Sequence, residues 1–489
     1  MMNWKMWQKC VGKMGKKLPI FLFIFILLYV IGSLICYPML TKRHVLKQKE
    51  KYAEQDAKET VDRSASVRCL DDNTQALVYR LALIESAQRE LIMTTFDMSD
   101  GESGQDLMAA MLQAADRGVR IRLMVDGINA WLKLEKSDLF GAFSTHPNIE
   151  IRFYNPIRLT KLWKLNYRMH DKYLIADDTA YILGGRNSNN LFLGAYRDTY
   201  NIDRDLYVLE RTEKNASDVM QKKERNSLQD IKAYFEKIWV QPDQKIFRKK
   251  ETEKTKEGLA LLREHYKELQ TAYPGAFSET ETLLTQDLIR VDSIQFLHNP
   301  LYADEKVPVV YQRICQEMEQ GETILIQTPY IICDKGMYQD LSELCRAGKQ
   351  IEIITNAVES GANPWGCTDY LNEKKSILKT GAGVYACMAG QSLHTKTVLI
   401  DDETSIVGSY NLDLRSTYLD TELMLLVKSK ELNKQLRDQA AAYQEKSTYE
   451  KAGKPSRTGS LYEKKEMSGM QKVIYSILRI LIRPIREVL

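Results

Sequence analysis

His170-Asp-Lys172-Tyr-Leu174-Ile175-Ala-Asp177-Asp178-Thr-Ala-Tyr-Ile182-Leu183-Gly184-Gly185-Arg-Asn187 returns 224 residues later as His394-Thr-Lys396-Thr-Val398-Leu399-Ile-Asp401-Asp402-Glu-Thr-Ser-Ile406-Val407-Gly408-Ser409-Tyr-Asn411. The two 18-residue stretches share seven identities, and the positions between them stay apolar at Leu174/Val398, Ile175/Leu399 and Leu183/Val407. One His-x-Lys-x4-Asp describes a buried hairpin with an incidental His, because three spaced residues recur by chance in long chains. Two copies at matching places within a larger repeat point instead to a functional site. Each copy reads as a β-hairpin. Tyr173–Ala176 and Ala180–Leu183 flank Asp177-Asp178-Thr179, and Thr397–Ile400 and Ser405–Val407 flank Asp401–Thr404. Side chains at i and i+2 of a strand share a face, so His170 projects with Lys172 and His394 with Lys396.

The surroundings of the two copies repeat as well. Glu90–Phe96 is a strand, Gln105–Arg117 an amphipathic helix, and Val119–Val125 and Ile149–Tyr154 further strands. The second half follows with strand Thr323–Gln327, a helix over 337–346, and strands Ile351–Ile354 and Gly383–Ala386. Arg117-Gly118 and Ala347-Gly348 close the two helices. Strand–helix–strand units imply an α/β fold of two similar lobes, each a mostly parallel sheet flanked by helices. Stacked about a pseudo-twofold axis, the lobes bring both His/Lys pairs together.

At 489 residues the chain accommodates a bilobed body with appendages. Its formal charge of +4 is unevenly spread: residues 1–51 carry +9, residues 451–489 carry +6, and the body between carries −11. An acidic body argues against nucleic acid as partner, since such binding relies on basic surface and counterion release. Basic flanks suit an anionic membrane surface. The eight cysteines form no C-x-x-C and no Cys/His cluster, so neither zinc nor a disulfide framework is expected.

Residues 18–40 are uncharged and almost wholly apolar, long enough for the ~20-residue helix that crosses a bilayer. Cys36-Tyr37-Pro38-Met39-Leu40 offers no signal-peptide cleavage site, which favours a retained single-pass anchor in the cell membrane. Basic residues are equally numerous on its two sides, so the positive-inside rule assigns no orientation. At the other end, Lys472, Arg479, Arg483 and Arg486 cluster within about 60° on a helical projection. Ile474, Ile477, Leu478, Leu481, Ile485 and Val488 take the opposite side. This pattern predicts an interfacial membrane helix, with docking on the protein's own core as the alternative and Pro484 as a kink or stop.

Two His, two Lys and two Asn suit attack on a phosphodiester. A neutral imidazole can attack phosphorus, and a protonated one can donate to the departing oxygen. Lys172 and Lys396 neutralise the equatorial oxygens and Asn187 and Asn411 donate to them, with no metal or cofactor required. The imidazoles need opposite protonation states, which carboxylates can set: Asp203 or Asp205 after the first motif and Glu422 after the second. His44, His146, His265 and His298 lack such neighbours and read as incidental.

On these motifs, with Arg168-Met169-His170, Thr328-Pro-Tyr330, Ile354-Thr-Asn356 and Arg415-Ser-Thr417…Thr421-Glu422, residues 70–445 resemble the phospholipase D superfamily. Within it they are similar to the bacterial cardiolipin synthases, in the branch with G-G-R-N in its first motif. The resemblance implies one shared site of His170, Lys172, Asn187, His394, Lys396 and Asn411, with His170 the nucleophile and His394 the acid and base. It implies that Asp177 and Asp401 support the hairpins, and that Ser409 supplies a hydroxyl which Gly185 cannot. It divides the chain into a basic segment (1–17), a transmembrane helix (18–40), a juxtamembrane segment (41–65), lobe 1 (66–245), a charged helical linker (246–285), lobe 2 (286–447), a linker (448–470) and an amphipathic tail (471–489). The implied activity is phosphatidyl transfer between membrane phospholipids, making cardiolipin. A hydrolytic phospholipase D is the nearest rival, then a nuclease, then a non-catalytic membrane scaffold.

Overall fold

The computed structural model describes residues 21–47, 65–210, 226–302 and 305–489; the basic segment 1–17 and most of the juxtamembrane segment lie outside these. Two nine-stranded sheets share one plan. Across the first run Ile289–Arg290, Ser66–Leu70, Asp205–Leu209, Ala180–Gly184, Tyr173–Ala176, Glu90–Thr95, Arg120–Asp126, Ile149–Tyr154 and Lys245–Phe247. Across the second run Ser293–His298, Leu423–Lys428, Thr404–Gly408, Thr397–Ile400, Thr323–Gln327, Gln350–Asn356, Gly383–Cys387, Ser447–Glu450 and Arg457–Thr458. Three strands in each are parallel, joined by the crossover helices Glu102–Asp116 and Lys335–Arg346 among others. The motif hairpins and closing strands add antiparallel pairs, so each sheet is mixed rather than mostly parallel.

The hairpin strands are buried on both faces, which is why their sequences are continuously apolar. Leu174 and Ala176 pack toward the helices of lobe 1. Tyr173 and Ile175 pack with Leu399 and Val407 of the opposing sheet, in a core that joins the lobes. Truncating Leu399 to Ala should cost ~2–5 kcal/mol, the range for a filled interior site.

Each hairpin turns at an aspartate in the left-handed region, Asp177 at φ 51° and Asp401 at φ 48°, a conformation Asp tolerates better than most residues. The Asp177 carboxylate accepts the backbone N–H groups of Gln88, Arg89 and Glu90, each at 2.8 Å. Asp401 accepts those of Glu322 and Thr323. Both carboxylates tie a hairpin to the start of the neighbouring parallel strand and stand apart from the histidines.

Within 246–285, helices Glu253–Ala272, Pro274–Phe277 and Thr280–Thr285 follow the end of strand Lys245–Phe247, and the segment is no free linker. Helix Glu253–Ala272 packs on Glu102–Asp116 and Asp138–Phe143, with Gly258 so close to Ala142 that a Cβ there would lie 2.6 Å from the Ala142 Cβ. Likewise 448–470 is only partly a linker, because Ser447–Glu450 and Arg457–Thr458 extend the second sheet.

The tail forms an α-helix, Gly469–Leu481, opened by a capping box between Ser468 and Gln471, and Pro484 falls in the 3-10 turn that follows. It docks on the protein's own core and still leaves an apolar stripe exposed. Tyr475 and Leu478 pack on lobe 2, Arg479 donates to Asn372, and Arg486 pairs with the buried Asp369 at 2.8 Å. Met470, Val473, Ile474, Ile477, Ile480 and Leu481 form an exposed apolar stripe. The basic residues therefore do not all share a solvent face.

The helix Phe21–Leu46 is long and apolar enough to cross a membrane. Its residues 21–28 are exposed, while Ser33, Pro38 and Val45 are buried against the body. Lys42 anchors its end, pairing with Asp334 and Glu487 at 2.8 Å each and lying over the Tyr418 ring.

Candidate active site

Two short inter-lobe bridges build the site. Met169 pairs in parallel with Thr421, and Ser392-Leu393 with Asn201-Ile202. Each bridge sets a histidine of one lobe beside a carboxylate of the other. His170 N donates to the Thr421 hydroxyl at 3.0 Å, and His170 Nδ1 lies 2.9 Å from Glu422 Oε1. His394 N donates to the Ile202 carbonyl at 2.7 Å, and His394 Nδ1 lies 2.5 Å from Asp203 Oδ2. An aromatic edge braces each ring, Phe96 against His170 and Phe192 against His394.

The sequence offered Asp203 or Asp205 as a partner; Asp203 is the one that touches an imidazole. Asp205 pairs instead with Arg80 at 2.8 Å and with Arg186 at 3.3 Å, and both arginines are buried. Lys172 and Lys396 are buried beside the rings, each donating to the backbone carbonyl of its own motif's histidine. The amide oxygens of Asn187 and Asn411 are buried without a hydrogen-bond partner among the described residues, the same condition at equivalent places in both lobes.

The two carboxylates differ in surroundings. Glu422 also accepts from the hydroxyls of Ser409 and Ser416. Burial pushes it up to about 8, although Lys172 and those hydroxyls pull the other way. Asp203 has no hydroxyl donor where Gly185 stands in place of Ser409; a Cβ on Gly185 would lie 2.3 Å from Asp203 Oδ1. Burial would raise Asp203 too, but Lys396 and His394 outweigh it and hold it at about 2. Burial, then Lys172, drives His170 well below the usual imidazole range. Burial and Lys396 lower His394 only to about 4, because ionised Asp203 opposes them. Burial also lowers Lys172 to about 7 and Lys396 to about 8.

Several contacts of this shell lay outside the sequence reading, which quoted Arg168, Arg415 and Thr421 only as motif residues without a role. Asp171 accepts from the Thr421 hydroxyl at 2.5 Å and from Tyr234 at 2.8 Å, tying the first motif across the lobe boundary. Arg168 clamps Asp126 at 2.7 Å, and Arg415 clamps Asp420 at 2.9 Å. Their signal was adjacency to the motifs. Two histidines read as incidental do have carboxylate neighbours, His146 with Asp116 at 3.2 Å and His265 with Asp106 at 2.7 Å. Both belong to the helical layer of lobe 1, away from the paired motifs.

This paired geometry has known relatives. The family described as "Cardiolipin synthase, PLD-like domain" matches residues 81–239 and 314–443, covering both lobes. The chain belongs to this family. Membership makes it an enzyme of the phospholipid phosphatidyltransferase type. Cardiolipin synthase C of Escherichia coli is 26% identical over 399 residues, 74% of this chain and 81% of that protein. The major cardiolipin synthase of Bacillus subtilis is 25% identical over 359 residues, 73% of this chain and 64% of that protein. Among solved structures, phosphatidylserine synthase of Haemophilus influenzae superposes with a TM-score of 0.60 at 15% identity, covering 90% of this chain and 100% of that one, a likeness of fold.

Proposed function

We propose that the chain is a membrane-anchored phosphatidyltransferase that makes cardiolipin from phosphatidylglycerol-type lipids through a phosphohistidine intermediate. The observation that carries this reading is the exchanged pairing of two imidazoles with two carboxylates around buried Lys172 and Lys396. The family description and the cardiolipin synthases among its relatives support the lipid substrate.

In the first half-reaction His170 Nε2 attacks the lipid phosphorus, with Nδ1–H held by Glu422. The bond from phosphorus to the glycerol oxygen breaks, and His394 gives that oxygen a proton. In the second, His394 takes the proton from a hydroxyl of another lipid as its oxygen attacks phosphorus, and the bond to His170 breaks. The roles follow from the carboxylates. Ionised Asp203 lets His394 hold a proton more readily than His170, and the anionic diester raises that tendency further. Lys172, Lys396 and the amides of Asn187 and Asn411 face the charge that builds on the phosphoryl oxygens. Ser409 steadies Glu422, and Asp177 and Asp401 hold the two hairpins in register.

Phe21–Leu46 serves as a single-pass anchor, and the exposed stripe of Gly469–Leu481 lies in the membrane interface. The catalytic body comprises 66–447 with the packed helices of 246–285 as part of lobe 1. The test is to incubate the detergent-purified protein with phosphatidylglycerol and identify products by mass spectrometry. Cardiolipin with glycerol is the expected outcome. Phosphatidic acid alone moves the assignment to a hydrolytic phospholipase D, in which water takes the place of the second lipid.

A further inference from the structure

The apolar helix does not hang free of the body at membrane depth. Tyr29 hydroxyl donates to the Leu159 carbonyl at 2.9 Å and accepts from Leu162 N at 3.4 Å, and Asn166 donates to the Leu34 carbonyl at 2.7 Å. At 1.5 Å rise per residue, the exposed turns from Phe21 to Leu28 reach only about 12 Å, against the ~30 Å of a hydrocarbon core. The crossing portion must therefore continue through Tyr29 and Leu34, where segment 157–166 is already bound to it. A Tyr hydroxyl at that depth needs a protein partner, and Leu159 supplies it.

The segment suits that position. Leu159 is 76% exposed and Ile157 38%. Beside them Arg158, Lys161 and Lys164 gather on the single carboxylate of Asp243, leaving two positive charges uncompensated within the cluster. The short helix Gly127–Lys133 abuts the same loop, its Gly127 lying against Pro156, and exposes Trp131 and Leu132. Apolar side chains flanked by cations and continuous with a membrane-crossing helix match an anionic bilayer interface.

We propose that segment 157–164, with Trp131 and Leu132, is a second membrane contact: its apolar tips enter the acyl layer and its basic trio binds lipid phosphate. The inference rests on reading Phe21–Leu46 as the membrane-crossing helix. Arg168 lies four residues beyond Lys164, so the stretch leading to His170 is held at the lipid surface. A phospholipid then meets the site with its acyl chains still in the bilayer.

The test uses the full chain reconstituted into vesicles containing lipids brominated along the acyl chain, with quenching of an added tryptophan read over the wild-type background. Three variants at exposed positions are compared: Phe25→Trp in the apolar helix, Leu159→Trp in the segment, and Leu261→Trp on the outer helix of lobe 1. The expected result is quenching of Phe25→Trp and Leu159→Trp, with Leu261→Trp unquenched. Phosphatidylglycerol in the vesicles should deepen the quenching at Leu159→Trp, and adding Lys161→Gln with Lys164→Gln should abolish that increment. If Phe25→Trp is quenched and Leu159→Trp matches Leu261→Trp, the second contact is overturned while the anchor stands. If Phe25→Trp is also unquenched, the membrane reading itself falls. An increment absent or unchanged in the double variant overturns the headgroup site.

Discussion

The carboxylate of Glu422 stands 2.9 Å from Nδ1 of His170, though 252 positions and a whole lobe separate them in sequence. Asp203 returns the arrangement to His394 across 191 positions. Neither lobe supplies the carboxylate for its own motif histidine, so the site exists only when the lobes are docked. Glu422→Gln and Asp203→Asn should each keep the fold and lower kcat by about 10²–10⁴-fold, the usual worth of a positioned acid–base group. Steady-state turnover of phosphatidylglycerol with circular dichroism as the fold control checks this; a loss confined to KM would contradict it.

Gly185 and Asp203 are a matched pair, as are Ser409 and Glu422. A side chain at Gly185 would occupy the space of the Asp203 carboxylate, so Gly185→Ser should push Asp203 off His394 and lower kcat at least tenfold. Ser409→Ala removes only one of the two hydroxyls on Glu422 and should cost less. Comparing the two variants at equal protein stability measures the asymmetry between the lobes.

The pH profile follows from the buried groups. Glu422 must be ionised to accept from His170 Nδ1, which occurs above about 8. Lys172 and Lys396 must be protonated to face the phosphoryl oxygens, which occurs below about 7 and about 8. Activity should therefore fall on the acid side as Glu422 gains its proton, and on the alkaline side as the lysines, and His394 raised by the bound anionic diester, lose theirs. Measuring kcat/KM from pH 5 to 10 tests the shape, and Glu422→Gln should flatten the acid limb only.

The tail reaches the edge of the site. Arg415 donates to the Val488 carbonyl, its backbone N–H donates to that of Leu489, and its guanidinium clamps Asp420 next to Thr421. Arg486→Ala would leave Asp369, wholly buried, without its counter-charge, a loss of roughly 3–5 kcal/mol for a buried pair. It should lower the melting temperature in detergent, where no bilayer is present. An unchanged melting temperature would mean that the Arg486–Asp369 pair does not hold the tail on lobe 2.

The doubled motif made much of this legible in advance. Period-2 alternation put His170 with Lys172, and repetition implied two lobes facing one another. The exchange of carboxylates was not legible, because nothing local to Glu422 marks a partner 252 residues away. Asp203 and Asp205 share strand parity, so periodicity could not separate them; Arg80 and Arg186, which claim Asp205, are distant in sequence or outside the strand. The charge-rich 246–285 looked like a linker because only a narrow stripe, including Leu262, Tyr266 and Leu269, is buried. The tail's docking stood only as the alternative reading, because periodicity does not show that two of its arginines serve protein partners rather than a polar face.

The central claim is that His170 carries the phosphatidyl group. Rapid quenching of the purified protein with phosphatidylglycerol labelled at phosphorus, followed by peptide mapping under alkaline conditions that preserve phosphoramidates, tests it most directly. Label is expected on His170 in the wild-type protein, forming more slowly in His394→Ala, which lacks the acid of the first half-reaction, and absent in His170→Ala. Label on His394 in the wild-type protein, or full turnover by His170→Ala, would contradict it.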